Sequence, residues 1–143
     1  MLIGQYHTKI SSKGRTALPS RFRRYLGRKV VISRWYEGSL AVFSNTAWER
    51  VLDKALGEAL LTGPTRDTER FLLGGAYEIE LDAQGRFVAP GPLRKYAGLE
   101  DEVVFIGLRS RVEVWSRNRW KEKEIEVTKN AEKLIEHVQK VKS

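Results

Sequence analysis

The sequence predicts a mainly β protein with short helices, an α+β fold in which two tandem copies of one small unit share a pseudo-symmetric core. Three observations carry this expectation. First, Ser11-Ser12-Lys13-Gly14-Arg15-Thr16-Ala17-Leu18-Pro19-Ser20-Arg21-Phe22-Arg23 aligns without gaps to Asp82-Ala83-Gln84-Gly85-Arg86-Phe87-Val88-Ala89-Pro90-Gly91-Pro92-Leu93-Arg94, at a constant spacing of 71 residues. Second, the likeness continues into the flanking apolar runs. Val30-Val31-Ile32 answers Val103-Val104-Phe105, Val42-Phe43 answers Val114-Trp115, and Trp48 answers Trp120. Third, a chain of 143 residues with 41% hydrophobic content buries one ordinary core or two very small ones. A unit of about 45 residues cannot cover its own sheet face, so the two copies must close on each other.

Each copy reads as strand, turn, strand, short helix, hairpin. The alternation in Tyr6 to Ile10 and Glu78 to Leu81 predicts half-buried strands that end in polar turns. Gly14 and Gly85 supply the positive φ of a tight turn, and strands resume over Arg15 to Leu18 and Arg86 to Ala89. Pro19 and Pro90 fit the first position of a helix, where the missing N–H costs nothing, and Gly27 and Gly98 fit its left-handed C-terminal cap. Two further strands follow in each copy: Lys29 to Trp35 and Ser39 to Ser44, then Glu102 to Leu108 and Arg111 to Trp115.

Between the copies, Thr46-x-x-Glu49 reads as a capping box opening a helix to about Leu61, with Val51, Leu52, Ala55, Leu56 and Ala59 on one side. Gly63-Pro64 is expected to end it, and a second helix, Arg66 to Leu73, to stop at Gly74-Gly75. The resulting division is residues 5–47 for the first repeat, 48–75 for connecting helices, 76–119 for the second repeat and 120–143 for a charged helical tail. In that tail Leu134, Ile135, Val138 and Val141 make a narrow apolar stripe, which leaves packing on a neighbour and fraying both open.

Charge is unevenly placed. The net charge is +8, yet residues 1–36 hold nine Lys or Arg and no acid, while the remainder holds 17 basic and all 18 acidic side chains. Such a block suits a polyanion, because cations that neutralise phosphates release condensed counterions. A merely solubilising surface is the alternative. The absence of cysteine removes disulfides and thiolate metal sites and fits a reducing compartment. No apolar run nears the roughly 20 residues that span a bilayer, and Met1 to Tyr6 lacks a signal-peptide layout, so a cytoplasmic protein is expected.

Catalysis finds little support. His7 and His137 sit in unrelated segments with no metal-ligand spacing and no acid–base partner, so no metal, catalytic residue, cofactor or small-molecule substrate is expected. The phosphate-cradling glycine run with its lysine is missing, and Glu78, Glu80 and Glu100 to Glu102 read as solvated acids. The chemistry instead gathers at the turns. Lys13 and Arg15 flank Gly14 on a tip that can approach a ligand closely, and Arg86 repeats the arginine while Gln84 replaces the lysine. Arg15 and Arg86 therefore either reach phosphate or a guanine edge, or hold their turns through a carboxylate such as Asp82. On the short helix, Arg21, Arg23, Arg24 and Arg28 outnumber local acids, so some must face solvent or phosphate; Arg21 and Arg24 join Lys13, Arg15 and Arg86 as DNA candidates. Arg23 and its counterpart Arg94 are read as structural, tying helix to sheet, with Gly14, Asp82, Gly85, Pro19 and Pro90 framing the turns. The four tryptophans read as core or subunit contacts. RNA binding is disfavoured because no aromatic row interleaves with the cations.

With Lys13-Gly14-Arg15, Pro19 and Arg23, then Asp82-x-x-Gly85-Arg86, Pro90 and Arg94, and Leu72-Leu73-Gly74 before the second copy, the chain resembles the MraZ family from Met1 to about Trp120. The resemblance implies that each repeat is a SpoVT-AbrB-like half. Two halves in one chain would then form the swapped-hairpin barrel that AbrB-like proteins build from two chains. It also implies a homo-oligomeric ring, cytoplasmic and nucleoid-associated, that binds double-stranded DNA at direct repeats upstream of the bacterial division and cell-wall gene cluster. The family motif carries over to Lys13, Gly14 and Arg15 and to Asp82, Gly85 and Arg86. Ser11 departs from it, standing where the motif has Asp; a hydroxyl is the weaker, uncharged acceptor. The first turn is thus expected to be the stronger electrostatic contact and the second the more rigid. An antitoxin-like or scaffolding module that holds a protein partner is the alternative.

Overall fold

The computed structural model describes residues 1–57 and 61–142. The order is β1 (Leu2–Lys9), β2 (Arg15–Ala17), α1 (Ser20–Leu26), β3 (Lys29–Arg34), β4 (Leu40–Ser44), α2 (Asn45–Leu56), α3 (Gly63–Gly74), then β5 (Ala76–Glu80), β6 (Arg86–Val88), α4 (Gly91–Ala97), β7 (Glu102–Arg109), β8 (Arg111–Ser116), α5 (Arg117–Lys129) and α6 (Ala131–Lys142). The same succession thus occurs twice, as the duplicated sequence requires.

The pairing crosses between copies. Six strands form one sheet in the order β1-β7-β8-β4-β3-β5, and β2 pairs with β6 in a separate ribbon. Among the described residues only the β3–β4 and β7–β8 hairpins pair within a copy; β1 lies on β7, β5 on β3, β4 on β8 and β2 on β6, all antiparallel. This is strand exchange between repeats within one chain. Backbone hydrogen bonds do not close the six strands into a continuous barrel, and β1 and β5 are its edges.

Successive residues of a strand face opposite sides, and in the four central strands β7, β8, β4 and β3 both sides are covered. Val30, Ile32, Leu40, Val42, Val103, Phe105, Val112 and Val114 point to an inner core, where Leu18, Phe87, Phe22 and Leu93 from the ribbon, α1 and α4 meet them. Val31, Ala41 and Phe43 point the other way, beneath Trp48 of α2 and Leu72 of α3, while Val104, Ile106 and Trp115 lie beneath Trp120 of α5. Burial on both faces explains why β3 and β7 are continuous apolar runs. Helices α2 and α5 are counterparts. Each is capped by a serine, Ser44 accepting from Ala47 N and Ser116 from Arg119 N at 3.2 Å, and each lays a tryptophan on a sheet aromatic with ring centroids 5.4 Å apart.

Several expected boundaries move. Ser44, not Thr46, caps α2, because a serine at the strand's end already offers its hydroxyl to the first free N–H groups. The helix ends at Leu56 with Gly57 at φ +45°; Ala59 lies outside the described residues. Gly63-Pro64 opens α3 rather than ending α2, since Thr62 caps it and proline needs no donor in a first turn. Pro19 and Pro90 are the cap residues, one position before the helices. Gly98 takes the left-handed cap, whereas Gly27 has positive φ with an extended ψ of −172°. Strand β1 starts four residues before Tyr6, since its partner β7 is long enough to pair from Leu2 onward. The stripe Leu134, Ile135, Val138 and Val141 of α6 stays exposed in this single chain.

Candidate nucleic-acid interface

The two turns are built alike. In the first, Ser11 N donates to Arg15 O and Gly14 N to Ser11 O, both at 2.9 Å; in the second, Asp82 N donates to Arg86 O at 3.2 Å and Gly85 N to Asp82 O at 2.9 Å. The glycines sit at φ +84° and +77°, where a side chain would be strained. Each carbonyl then crosses the pseudo-twofold: Gly14 O accepts from Ala89 N at 2.8 Å, and Gly85 O from Leu18 N at 3.0 Å.

Arg23 and Arg94 lock this arrangement reciprocally. Arg94, from the second copy, packs on Gly14 and donates Nη1 to Ser12 O at 3.1 Å, while Arg23, from the first, packs on Gly85. A Cβ on Gly14 would lie 2.7 Å from Arg94 Nε, and one on Gly85 2.8 Å from Arg23 Nη1. Both arginines therefore brace the opposite copy's turn rather than tie their own helix to the sheet. Pro19 and Pro90 cap the helices that carry them.

The ribbon fixes where the remaining arginines point. Its register is Arg15 opposite Val88, Thr16 opposite Phe87 and Ala17 opposite Arg86. Thr16 and Phe87 are buried, so by strand alternation Arg15, Ala17, Arg86 and Val88 share the outward side. Arg15 and Arg86 occupy one diagonal of this face, and Lys13 stands exposed at the adjoining tip. Arg21 and Arg24 are exposed one turn apart on α1. Register thus sets Arg15 and Arg86 on one face of the ribbon with Lys13 at its tip, while Arg21 and Arg24 are carried on the helix that follows β2.

Turn chemistry differs between the copies. Asp82 Oδ1 accepts from Gln84 N at 2.9 Å and Arg86 N at 2.8 Å, and Oδ2 takes Arg86 Nε at 2.6 Å. These bonds, the Arg86 side chain foremost, hold the Asp82 carboxyl below its ordinary range. In the first turn Ser11 Oγ accepts only Arg15 N, at 3.0 Å, and among the described residues the Arg15 guanidinium has no ion pair.

Two features escaped the sequence reading. Arg28 finds its acid in the other copy, Glu80 at 3.9 Å, and donates to Leu81 O at 3.3 Å. Ala17 and Val88 share the outward face with the arginines; their equal offset of 71 was the available signal.

Fold and site together define a two-repeat, strand-exchanged β protein that presents a cation-bearing ribbon made of one strand from each copy. The family model described as "MraZ protein, putative antitoxin-like" matches residues 1–71 and again 72–140, and the chain belongs to the MraZ family. Among its relatives, "Transcriptional regulator MraZ" of Caldanaerobacter subterraneus subsp. tengcongensis is 39% identical over 138 residues, 96% of each chain. The protein of that name from Moorella thermoacetica is 42% identical over 136 residues, 95% of each chain. That from Thermoanaerobacter sp. is 38% identical over 138 residues, 96% of each. Among the described residues no helix is long and apolar enough to cross a membrane.

Proposed function

We propose that this protein is a sequence-specific, DNA-binding transcriptional regulator whose β2–β6 ribbon enters the major groove. One observation carries the reading: Arg15 and Arg86 project from the same outward side of a two-stranded ribbon. The major groove admits such a ribbon, and arginine pairs bidentately with a guanine edge. Lys13, Arg21 and Arg24 act as phosphate contacts that set register without reading bases. The regulator name carried by the relatives supports a role in transcription rather than catalysis.

The finer assignments rest on the family resemblance. The target is double-stranded DNA at direct repeats upstream of the division and cell-wall gene cluster, in the cytoplasm and at the nucleoid. The working form is a homo-oligomeric ring, in which several modest contacts add through effective concentration. Residues 5–47 and 76–119 are the reading repeats, and 120–143 the tail.

A gel shift with the DNA upstream of its own gene, run across a salt series, tests this. Affinity falls steeply with salt, and Arg15→Ala weakens binding strongly while the fold persists. Unchanged binding by that variant overturns the assignment. The second reading, an antitoxin-like or scaffolding module, is favoured by the uncovered stripe of α6. A stable protein partner in a pull-down, with no gel shift, would select it.

A further inference from the structure

We infer that Val88, beside Arg15, is a specificity residue that contacts the C5 methyl of a thymine next to the guanine read by Arg15; this rests on the DNA-binding reading. Val88 is 52% exposed on the outward side of β6, although a solvent-facing position in a three-residue strand needs no apolar side chain. It lies directly opposite Arg15, and residues so placed hold their Cβ atoms about 4.5 to 5.5 Å apart. The Val88 methyls therefore flank the root of the arginine that reaches outward.

The surface around it fits that task. A hollow of about 630 Å³ opens between β1 and the ribbon, walled by Ala17, Phe87 and Val88 and rimmed by Lys9, Arg15, Arg86 and Asp82, the last ion-paired with Arg86. Cations at the rim suit phosphate and guanine, and the apolar wall suits the thymine methyl, the one apolar group a base pair presents in the major groove. Stacked pairs are roughly 3.4 Å apart, so an arginine on one guanine places its cross-strand neighbour against the adjoining pair.

The two copies are unequal here as well. Ala17 stands where Val88 stands, opposite Arg86, but it is half-buried and two methyl groups shorter. Thymine readout therefore belongs to the Arg15–Val88 end of the ribbon.

Replacing each thymine of the bound upstream DNA by deoxyuridine removes only that methyl. Wild-type protein loses roughly three- to fivefold in affinity at one thymine of each site, and Val88→Ala binds the thymine and uracil forms equally. Because Val88 is exposed, the variant melts with the wild type, which a thermal scan verifies. A Val88→Ala protein that still distinguishes thymine from uracil overturns the inference, as does wild-type binding insensitive to every replacement; both leave DNA binding itself standing. Failure of the wild type to shift the DNA removes both readings.

Discussion

Arg86 donates its Nε–H to Asp82 Oδ2 at 2.6 Å, whereas Arg15, 71 positions earlier, faces a serine whose hydroxyl engages only its backbone N–H at 3.0 Å. One ribbon therefore carries a tethered arginine and an untethered one. The tether is solvent-exposed, with side chains 66% and 41% accessible, so it orients Arg86 more than it stabilises the fold.

Arg15→Ala accordingly weakens DNA binding more than Arg86→Ala does. Loss of a bidentate guanine contact predicts a fall of roughly tenfold or more, and the Arg86 loss is smaller because the Asp82 carboxylate paired with it already offsets its positive charge. Fluorescence anisotropy titrations at one salt concentration rank the two, and an equal or reversed order refutes the asymmetry.

Exchanging the turn residues exchanges the behaviour. Ser11→Asp gives the first turn a charged acceptor within reach of Arg15, which lowers DNA affinity at low salt and slows amide exchange at Arg15. Asp82→Ser frees Arg86 and speeds exchange at Arg86 and Gln84. Hydrogen-exchange rates that stay unchanged in both variants contradict this.

Acid should release the second turn late. The Arg86 side-chain bond, then the Arg86 and Gln84 backbone bonds, lower the Asp82 pKa from its ordinary value of 3.8. A depressed folded-state pKa contributes stability that is fully present above the unfolded value and disappears as pH falls through the folded one. The tether is thus intact at neutral pH and lost only below 3.8. A carboxyl-carbon NMR titration of Asp82 with its midpoint below 3.8 agrees; a midpoint above it does not.

Three glycines separate backbone strain from crowding. At Gly27, φ is +82° with an extended ψ of −172°, a region essentially reserved for glycine, and nothing lies within 4 Å of an added Cβ, so Gly27→Ala costs about 1 to 3 kcal/mol. At Gly14 and Gly85 a positive φ is joined by backbone carbonyls 2.9 and 2.8 Å away, Ala89 O and Leu18 O. Those variants cost roughly 3 kcal/mol or more, because each carbonyl belongs to a residue, Ala89 or Leu18, whose N–H is held in a crossing hydrogen bond. Chemical denaturation checks the ranking.

Much of the site was legible because it depends on local chemistry. Positive φ at Gly14 and Gly85, the helices after Pro19 and Pro90, and the unequal acceptors Ser11 and Asp82 all follow from residue type and spacing. The roles of Arg23 and Arg94 were not: their partners lie in the opposite copy, and a helix position says nothing of a turn 62 or 80 residues away. Arg28 was hidden for the same reason, since Glu80 reaches it only after β5 pairs with β3. The serine caps of α2 and α5 were visible in principle, as Ser44-x-x-x-Trp48 and Ser116-x-x-x-Trp120 repeat, but the Thr46-x-x-Glu49 pattern competed with them.

By itself the sequence determined that the unit is duplicated, which segments are strands and helices, and that the cations concentrate in the first quarter of the chain. Period-two alternation fixes which side of a strand is apolar, and glycine fixes where the chain can turn. Neither names a strand's partner. The family resemblance implied a swapped hairpin, and the tertiary structure decided which strands exchange, β1, β2 and β5 pairing across the repeats, because a single repeat could not cover its own sheet. That exchange sets Arg15 and Arg86 on one outward face, so two separate turns become one ribbon.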